Sequence, residues 1–265
     1  MEELNKNQIV LLTLLVSFVT SIATGIVTVT LVNQAPPAVT QTINRIVEKT
    51  IPGETKTQTI IKEVPVIVTE EQLIVDVINS ASPAMVRITD HAGLALGSGF
   101  VISDDGLIAT VDKIFPTGPI ETEIYQVFLS KSRQATARLV KSDAKKGVVL
   151  LRLDIATIKD PENKDASKVS LAKLELTDAE TLPGQTVLSL GVPDSGPLTV
   201  SGGIVSGLFT DTASSTSFIN TSAANQNNIG GPLLNIKGKV IGISRDTGAA
   251  LTAKMIQDTL NAIPK

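Results

Sequence analysis

The spacing of apolar and polar residues divides the chain into three stretches. In the first, residues 9–32, which open with Ile9 and close with Val32, no side chain is charged and Ile, Val, Leu and Thr predominate. A helix needs about 20 such residues to cross the hydrocarbon core of a bilayer, whereas a cleaved signal peptide has an apolar stretch of about 7 to 15. The run therefore predicts an uncleaved, single-pass membrane helix behind a short flank, residues 1–8. That flank carries Lys6 and the α-amine against Glu2 and Glu3, and Arg45 is the first charge beyond the run. The balance favours a cytoplasmic N-terminus and an extracytoplasmic location for the rest of the chain.

In the second stretch, residues 33–69, Pro36-Pro37 and Pro52-Gly53 interrupt a Thr-rich sequence, and Thr-Gln-Thr-Ile occurs twice, from Thr40 and from Thr57. This composition predicts an extracytoplasmic tether. Apolar positions such as Ile43, Ile46, Val47, Ile60 and Ile61 leave a second reading open, a short oligomerising helix or strand pair, and with it a homo-oligomer.

The third stretch begins at residue 70. Thr69 ahead of Glu70-Glu71 supplies a cap and an acidic first turn, and Leu73, Ile74, Val77 and Ile78 recur at helical spacing before Ser82-Pro83. Beyond this helix the period shortens. Apolar runs of strand length occupy 85–88, 99–102, 107–109, 125–129, 136–140, 148–153, 186–190, 203–208 and 240–243. Turn sequences such as Asp104-Asp105-Gly106, Pro183-Gly184 and Lys237-Gly238-Lys239 separate them. Many short strands spaced about ten residues apart predict a sandwich or barrel rather than alternating β-α units. A last helix over 253–262 closes the domain.

Composition narrows the chemistry. There are six Phe, one Tyr and no Trp, so Val, Ile, Leu, Ala and Thr must build the interior. With no cysteine and one histidine, His91, thiolate nucleophiles, disulfides and His-rich metal cages are excluded, and neither a metal nor a cofactor is expected. A net charge of −3, without zinc-finger spacing or an RNA-binding signature, argues against a nucleic acid partner.

Five segments then follow one another in a familiar order. They are Leu96-Gly97-Ser98-Gly99-Phe100-Val101-Ile102 with Asp105-Gly106-Leu107-Ile108-Ala109-Thr110; Asp143-Ala144-Lys145-Lys146-Gly147-Val148-Val149-Leu150-Leu151-Arg152; Pro183-Gly184-Gln185-Thr186-Val187; Thr199-Val200-Ser201-Gly202-Gly203-Ile204-Val205-Ser206; and Asn225-Gln226-Asn227-Asn228-Ile229-Gly230-Gly231-Pro232-Leu233-Leu234-Asn235. Order and spacing resemble the HtrA/Deg-type branch of the trypsin-like serine proteases. The resemblance implies an all-β domain over 70–265, built as two six-stranded barrels with a helix at either end; with the sequence ending at Lys265, directly after the last helix, the PDZ domain often appended in this family is not expected.

The departures from the family's pattern bear on chemistry. Laid on its T-N-x-H-V motif, Thr110-Val111-Asp112-Lys113-Ile114 puts Lys113 where the catalytic histidine belongs. Gly147 stands at the aspartate position and Ile229 at the serine position. Acyl transfer needs a hydroxyl, a base to take its proton and a carboxylate to orient the base. The expectation is therefore a chain that is not an enzyme, a pseudoprotease acting through binding. Asn227, Asn228, Ile229 and Gly230 form the remnant of an oxyanion loop. Ser244, Arg245, Asp246 and Thr247 match the strand on which the family lays an extended peptide, and strand addition uses main-chain groups only. Two other readings stay open: an active membrane-anchored serine endopeptidase, as whole-domain similarity alone implies, and a purely structural component of an oligomer or envelope complex.

Overall fold

The computed structural model describes residues 6–33, 69–129, 133–160, 170–177, 179–194, 197–212 and 215–263. Two compact units, Met1–Thr69 and Glu70–Lys265, divide the chain.

In the first unit, Lys6–Asn33 form one helix, α1. Its hydroxyls serve the helix itself. Thr13 donates to the Val10 carbonyl at 3.2 Å, and Thr24 and Thr28 donate to the Thr20 and Thr24 carbonyls at 2.8 Å. With these polar groups turned back onto the backbone, Leu11, Leu14, Leu15, Phe18, Val19 and Ile22 present an exposed hydrocarbon exterior. Among the described residues no helix is long and apolar enough to cross a membrane. The helix expected over 9–32 is present, and its crossing of a membrane is not shown. The tether expected over 33–69 lies, apart from its two end residues, outside the described residues.

The second unit opens with α2, Glu70–Ala81, which turns Val77 and Ala81 into the core, and Pro83 stops it in a single 3-10 turn, Ser82–Ala84. Two closed antiparallel barrels follow. The first contains β1 (Met85–Thr89), β2 (Ala95–Val101), β3 (Leu107–Val111), β4 (Ile124–Phe128), β5 (Gln134–Asp143) and β6 (Val148–Lys159), in the order β1-β2-β3-β6-β5-β4. The second contains β7 (Thr186–Gly191), β8 (Thr199–Asp211), β9 (Thr216–Thr221), β10 (Pro232–Asn235), β11 (Val240–Asp246) and β12 (Ala249–Thr252), in the order β10-β11-β12-β9-β8-β7. The expected pair of six-stranded barrels is what forms, closed at its C-terminal end by α3, Ala253–Asn261.

Side chains along a strand alternate between its two faces, so a run of consecutive buried residues means that both faces are covered. Val148, Val149, Leu150 and Leu151 at the start of β6 are all fully buried. One continuous apolar core takes in Ile88, Phe100, Ile108 and Leu150 from the first barrel, Leu188, Leu234 and Ile243 from the second, and Met255 and Ile256 from α3. A smaller cluster, including Val205, Ile219 and Leu233, fills the rest of the second barrel. Each fully buried Leu, Ile or Phe contributes about 1.5–3 kcal/mol of transfer free energy, and this shared core fixes one barrel against the other.

Candidate functional site

The turn between β5 and β6 is organised by Asp143. Its Oδ1 accepts from the Lys145 and Lys146 amides at 3.2 and 3.1 Å, and its carbonyl accepts from the Gly147 amide at 2.7 Å. Gly147 has φ of 74°, a left-handed conformation that costs glycine nothing. The Gly147 carbonyl in turn accepts from the Asp112 amide at 3.0 Å, at the start of the 3-10 turn Asp112–Ile114 that follows β3. Main-chain hydrogen bonding thus brings positions 112, 113 and 147 together.

The end of β11 reaches the same place from the second barrel. Its register against β12 shifts between Ser244 and Asp246, leaving Arg245 in a bulge, and bulges re-aim side chains. Arg245 Nη2 lies 3.4 Å from Asp112 Oδ2, and Lys113 Nζ pairs with Asp246 Oδ2. Two successive residues of each barrel therefore pair crosswise. In the first pair the side chains are 33% and 26% exposed, in the second 45% and 55%. Asp112 Oδ1 and Arg245 Nε are buried without a hydrogen-bond partner. A Cβ on Gly147 would stand 3.0 Å from Arg245 Nε and 3.1 Å from Asp112 Oδ1, so the guanidinium fills the space that a side chain at 147 would enter.

The loop carrying Ile229 lies close by. A Cβ on Gly97 would press on Ile114 at 2.6 Å and stand 3.4 Å from the Ile229 carbonyl. Within the loop, Asn225 caps the 3-10 turn Gln226–Asn228. Its Oδ1 accepts from the Asn227 amide at 2.9 Å, and its Nδ2 donates to Ser201 Oγ at 2.5 Å. Asn228 is fully buried, donating to the Ser189 carbonyl at 3.0 Å and accepting from Thr199 Oγ1 at 2.9 Å. Main-chain bonds complete the frame: Ser98 N donates to Ile229 O at 3.1 Å, Gly230 N to Ser244 O at 2.8 Å, and Ser244 N to Gly231 O at 2.9 Å. At Gly230, with φ of 82°, an added Cβ would collide with Ser98 O and Thr110 Oγ1.

The residues singled out in the sequence divide accordingly. Lys113, Gly147, Arg245 and Asp246 meet. Asn227, placed as an oxyanion donor, has its amide engaged by Asn225, a cap that an Asn two residues before a turn could have signalled. Ser244, placed on the peptide-binding strand, is fully buried, with its Oγ 2.7 Å from Ser189 Oγ and its main chain committed to the loop. The Thr247 amide donates to Asp246 Oδ1 at 2.8 Å. His91 lies apart, 80% exposed in the turn after β1, with Nδ1 3.5 Å from Glu123 Oε1.

Between the barrels runs a groove of about 640 Å³. Asp112, Lys113, Phe115, Pro119 and Ala144 line it from the first barrel, and Phe209, Phe218, Arg245, Asp246 and Ala249 from the second. The rings of Phe209 and Phe218 stack at 4.8 Å, and Arg245 Cζ lies 6.0 Å from the Phe218 ring centre, within reach of a cation–π attraction. The same two rings also line a second cavity, of about 700 Å³, beside α3. No sequence signal had marked Phe209 or Phe218.

The trypsin-like peptidase domain family matches residues 97–243, more than half of the chain. Over 153 residues the chain is 33% identical to a probable periplasmic serine endoprotease DegP-like of Marinomonas sp. (strain MWYL1), a match that covers 57% of this chain and 29% of the relative. Over 190 residues it is 32% identical to serine protease HTRA1A of Danio rerio, covering 64% of this chain and 36% of the relative. The structure of the HtrA-type protease AlgW with tripeptide shares the fold, with a TM-score of 0.57 and 23% identity over 71% of this chain and 62% of that one. The chain belongs to the trypsin-like peptidase family, as an HtrA/DegP-like domain, and it matches about a third of the length of these curated relatives.

These relatives overturn the expectation that the chain is not an enzyme. They are named serine endoproteases and point to protease activity. That expectation rested on the side chains at three positions, whereas the likeness extends over the two-barrel scaffold. Positions 113, 147 and 229 still hold an amine, no side chain and a hydrocarbon, so a serine hydroxyl has to be sought elsewhere.

The Lys113 hydrogen bond, followed by that of the Thr247 amide, holds the Asp246 carboxyl below the ordinary aspartate value of 3.8. A carboxyl depressed in the folded state stabilises that state above its unfolded pKa, and the contribution is lost as pH falls through the folded one. The melting temperatures of the wild type and Asp246→Asn should therefore differ by a small, constant amount above about pH 5 and converge as pH falls below the ordinary aspartate range. Thermal melts across that range check this, and a difference that grows with acidification would contradict it.

Proposed function

We propose that the chain is a serine-endopeptidase-type domain that takes an extended polypeptide into the groove between its barrels, beside the bulged end of β11. The observation that carries this reading is the groove itself, walled by both barrels and lined with Phe115, Phe209, Phe218 and Ala249 below a charged rim. Arg245, outside the β11–β12 ladder, offers its main chain at that rim to an added strand. Alternate side chains of an extended ligand point to opposite sides, so every second one enters the groove, where the rings favour an apolar residue. In support, the AlgW relative was solved with a tripeptide and with a decapeptide.

Two further parts of the reading come from the sequence and the relatives. The charge-free run over 9–32 supports anchoring in a membrane, and the periplasmic naming of the DegP-like relatives supports an extracytoplasmic domain. Endopeptidase activity comes from the relatives' names. Near the loop carrying Ile229, the hydroxyls of Ser98, Thr110, Ser189, Thr199, Ser201 and Ser244 each make a hydrogen bond inside the fold.

Filling the groove tests the binding. Ala249→Trp in the full chain should weaken the strongest hits from a peptide array by about tenfold, the equivalent of one modest apolar contact, while thermal melts confirm folding. Equal binding by the two proteins would remove the groove from the reading. Endopeptidase activity predicts that a fluorophosphonate probe labels one serine stoichiometrically and that peptide mapping places the label outside position 229. No labelled serine would end that part. For the anchor, carbonate washing should leave the chain in the membrane pellet, and its release into the supernatant would exclude insertion.

A further inference from the structure

Asp112 and Lys113 are consecutive on the first barrel, Arg245 and Asp246 are consecutive on the second, and the signs are arranged so that each side chain meets its opposite. All four line the groove, the first two on one wall and the last two on the other, so both ion pairs cross it. Stability does not account for this arrangement. An exposed pair such as Lys113–Asp246 contributes little, and a half-buried pair such as Asp112–Arg245 is a net stabiliser only when its remaining polar atoms are bonded. Asp112 Oδ1 and Arg245 Nε are not. What the crossing fixes is register. Sliding one wall by a residue would set Asp112 against Asp246, or Lys113 against Arg245, and like charges at contact repel. The inner pair also depends on Gly147, because a Cβ there would stand 3.0 Å from Arg245 Nε.

We infer that these four residues form an electrostatic latch across the groove, and that release of Lys113 from Asp246 lets the two walls part. The latch holds the two walls in register in the resting protein and opens when a polypeptide enters. Admission of a polypeptide rests on the function proposed above, whereas the latch itself does not.

Hydrogen exchange on the full chain tests the latch without any ligand. Lys113→Asp and Asp246→Lys, made singly, should each speed exchange of the amides in 112–118 and 244–249 by about two- to fivefold, the range open to an exposed ion pair. The double exchange, Lys113→Asp with Asp246→Lys, should restore protection to within about twofold. Raising NaCl from about 50 mM to about 1 M should speed exchange in the wild type, because salt screens exposed charges, and should leave Lys113→Gln/Asp246→Asn unchanged. Singles that exchange like the wild type, or a double variant no better protected than either single, would overturn the latch. In a parallel peptide titration the single variants should bind a few-fold more tightly than the wild type. Faster exchange with unchanged peptide affinity would sink the gating role. Absence of peptide binding in every form, with exchange behaving as expected, would remove the proposed function and leave the latch in place.

Discussion

Main-chain hydrogen bonds tie residues 229–231 to both barrels, and the geometry of the groove depends on them. Ile229 offers its carbonyl to Ser98 of the first barrel, while Gly230 and Gly231 exchange amide and carbonyl with Ser244 of the second. Such bonds contribute about 0.5–1.5 kcal/mol each and do not depend on which side chain stands at 229. What they do require is the absence of a side chain at 230, where Ser98 O and Thr110 Oγ1 leave no room. The loop can therefore keep its shape while the residue at its tip changes, and Ser244, drawn in by the same bonds, cannot serve as a free edge for a ligand.

How much of this was legible in the sequence follows from the range of each interaction. α2 and α3, and nine of the strand runs, declared themselves through local period. β9, β10 and β12 did not: four of the six residues of Thr216–Thr221 carry a hydroxyl or an amide, and β10 and β12 span four residues each, too short for an alternation to show. Closure of the second barrel needs all three, and only the family resemblance supplied them. At the site, Lys113, Gly147, Arg245 and Asp246 could each be marked by position, but their pairing could not. Asp112 looked like the neighbour of Lys113, yet its partner is Arg245, which barrel closure brings across from 133 residues away. The rings of Phe209 and Phe218 gave no signal, because nothing local distinguishes a groove-lining aromatic from an exposed one.

The family match and the individual side chains answer different questions. Relatives named as serine proteases share the scaffold over the matched residues. Lys113, Gly147 and Ile229 describe only what stands at three points of it. Around those points the chain carries a set of mutually dependent substitutes: a glycine that leaves space, a guanidinium that fills it, and a carboxylate on the neighbouring turn that balances the charge. Any one of them alone would be a defect. A side chain at 147 would crowd the guanidinium at 3.0 Å and strain a left-handed backbone, and Asp112 without Arg245 would be a half-buried, unbalanced anion.

The stacked rings of Phe209 and Phe218 face the groove on one side and the cavity beside α3 on the other. They form a shared wall, Phe209 exposed on β8 and Phe218 packed against the main core from β9. Material in the groove that displaces either ring therefore reshapes the cavity behind it, and α3, which borders that cavity, is within mechanical reach of whatever occupies the groove.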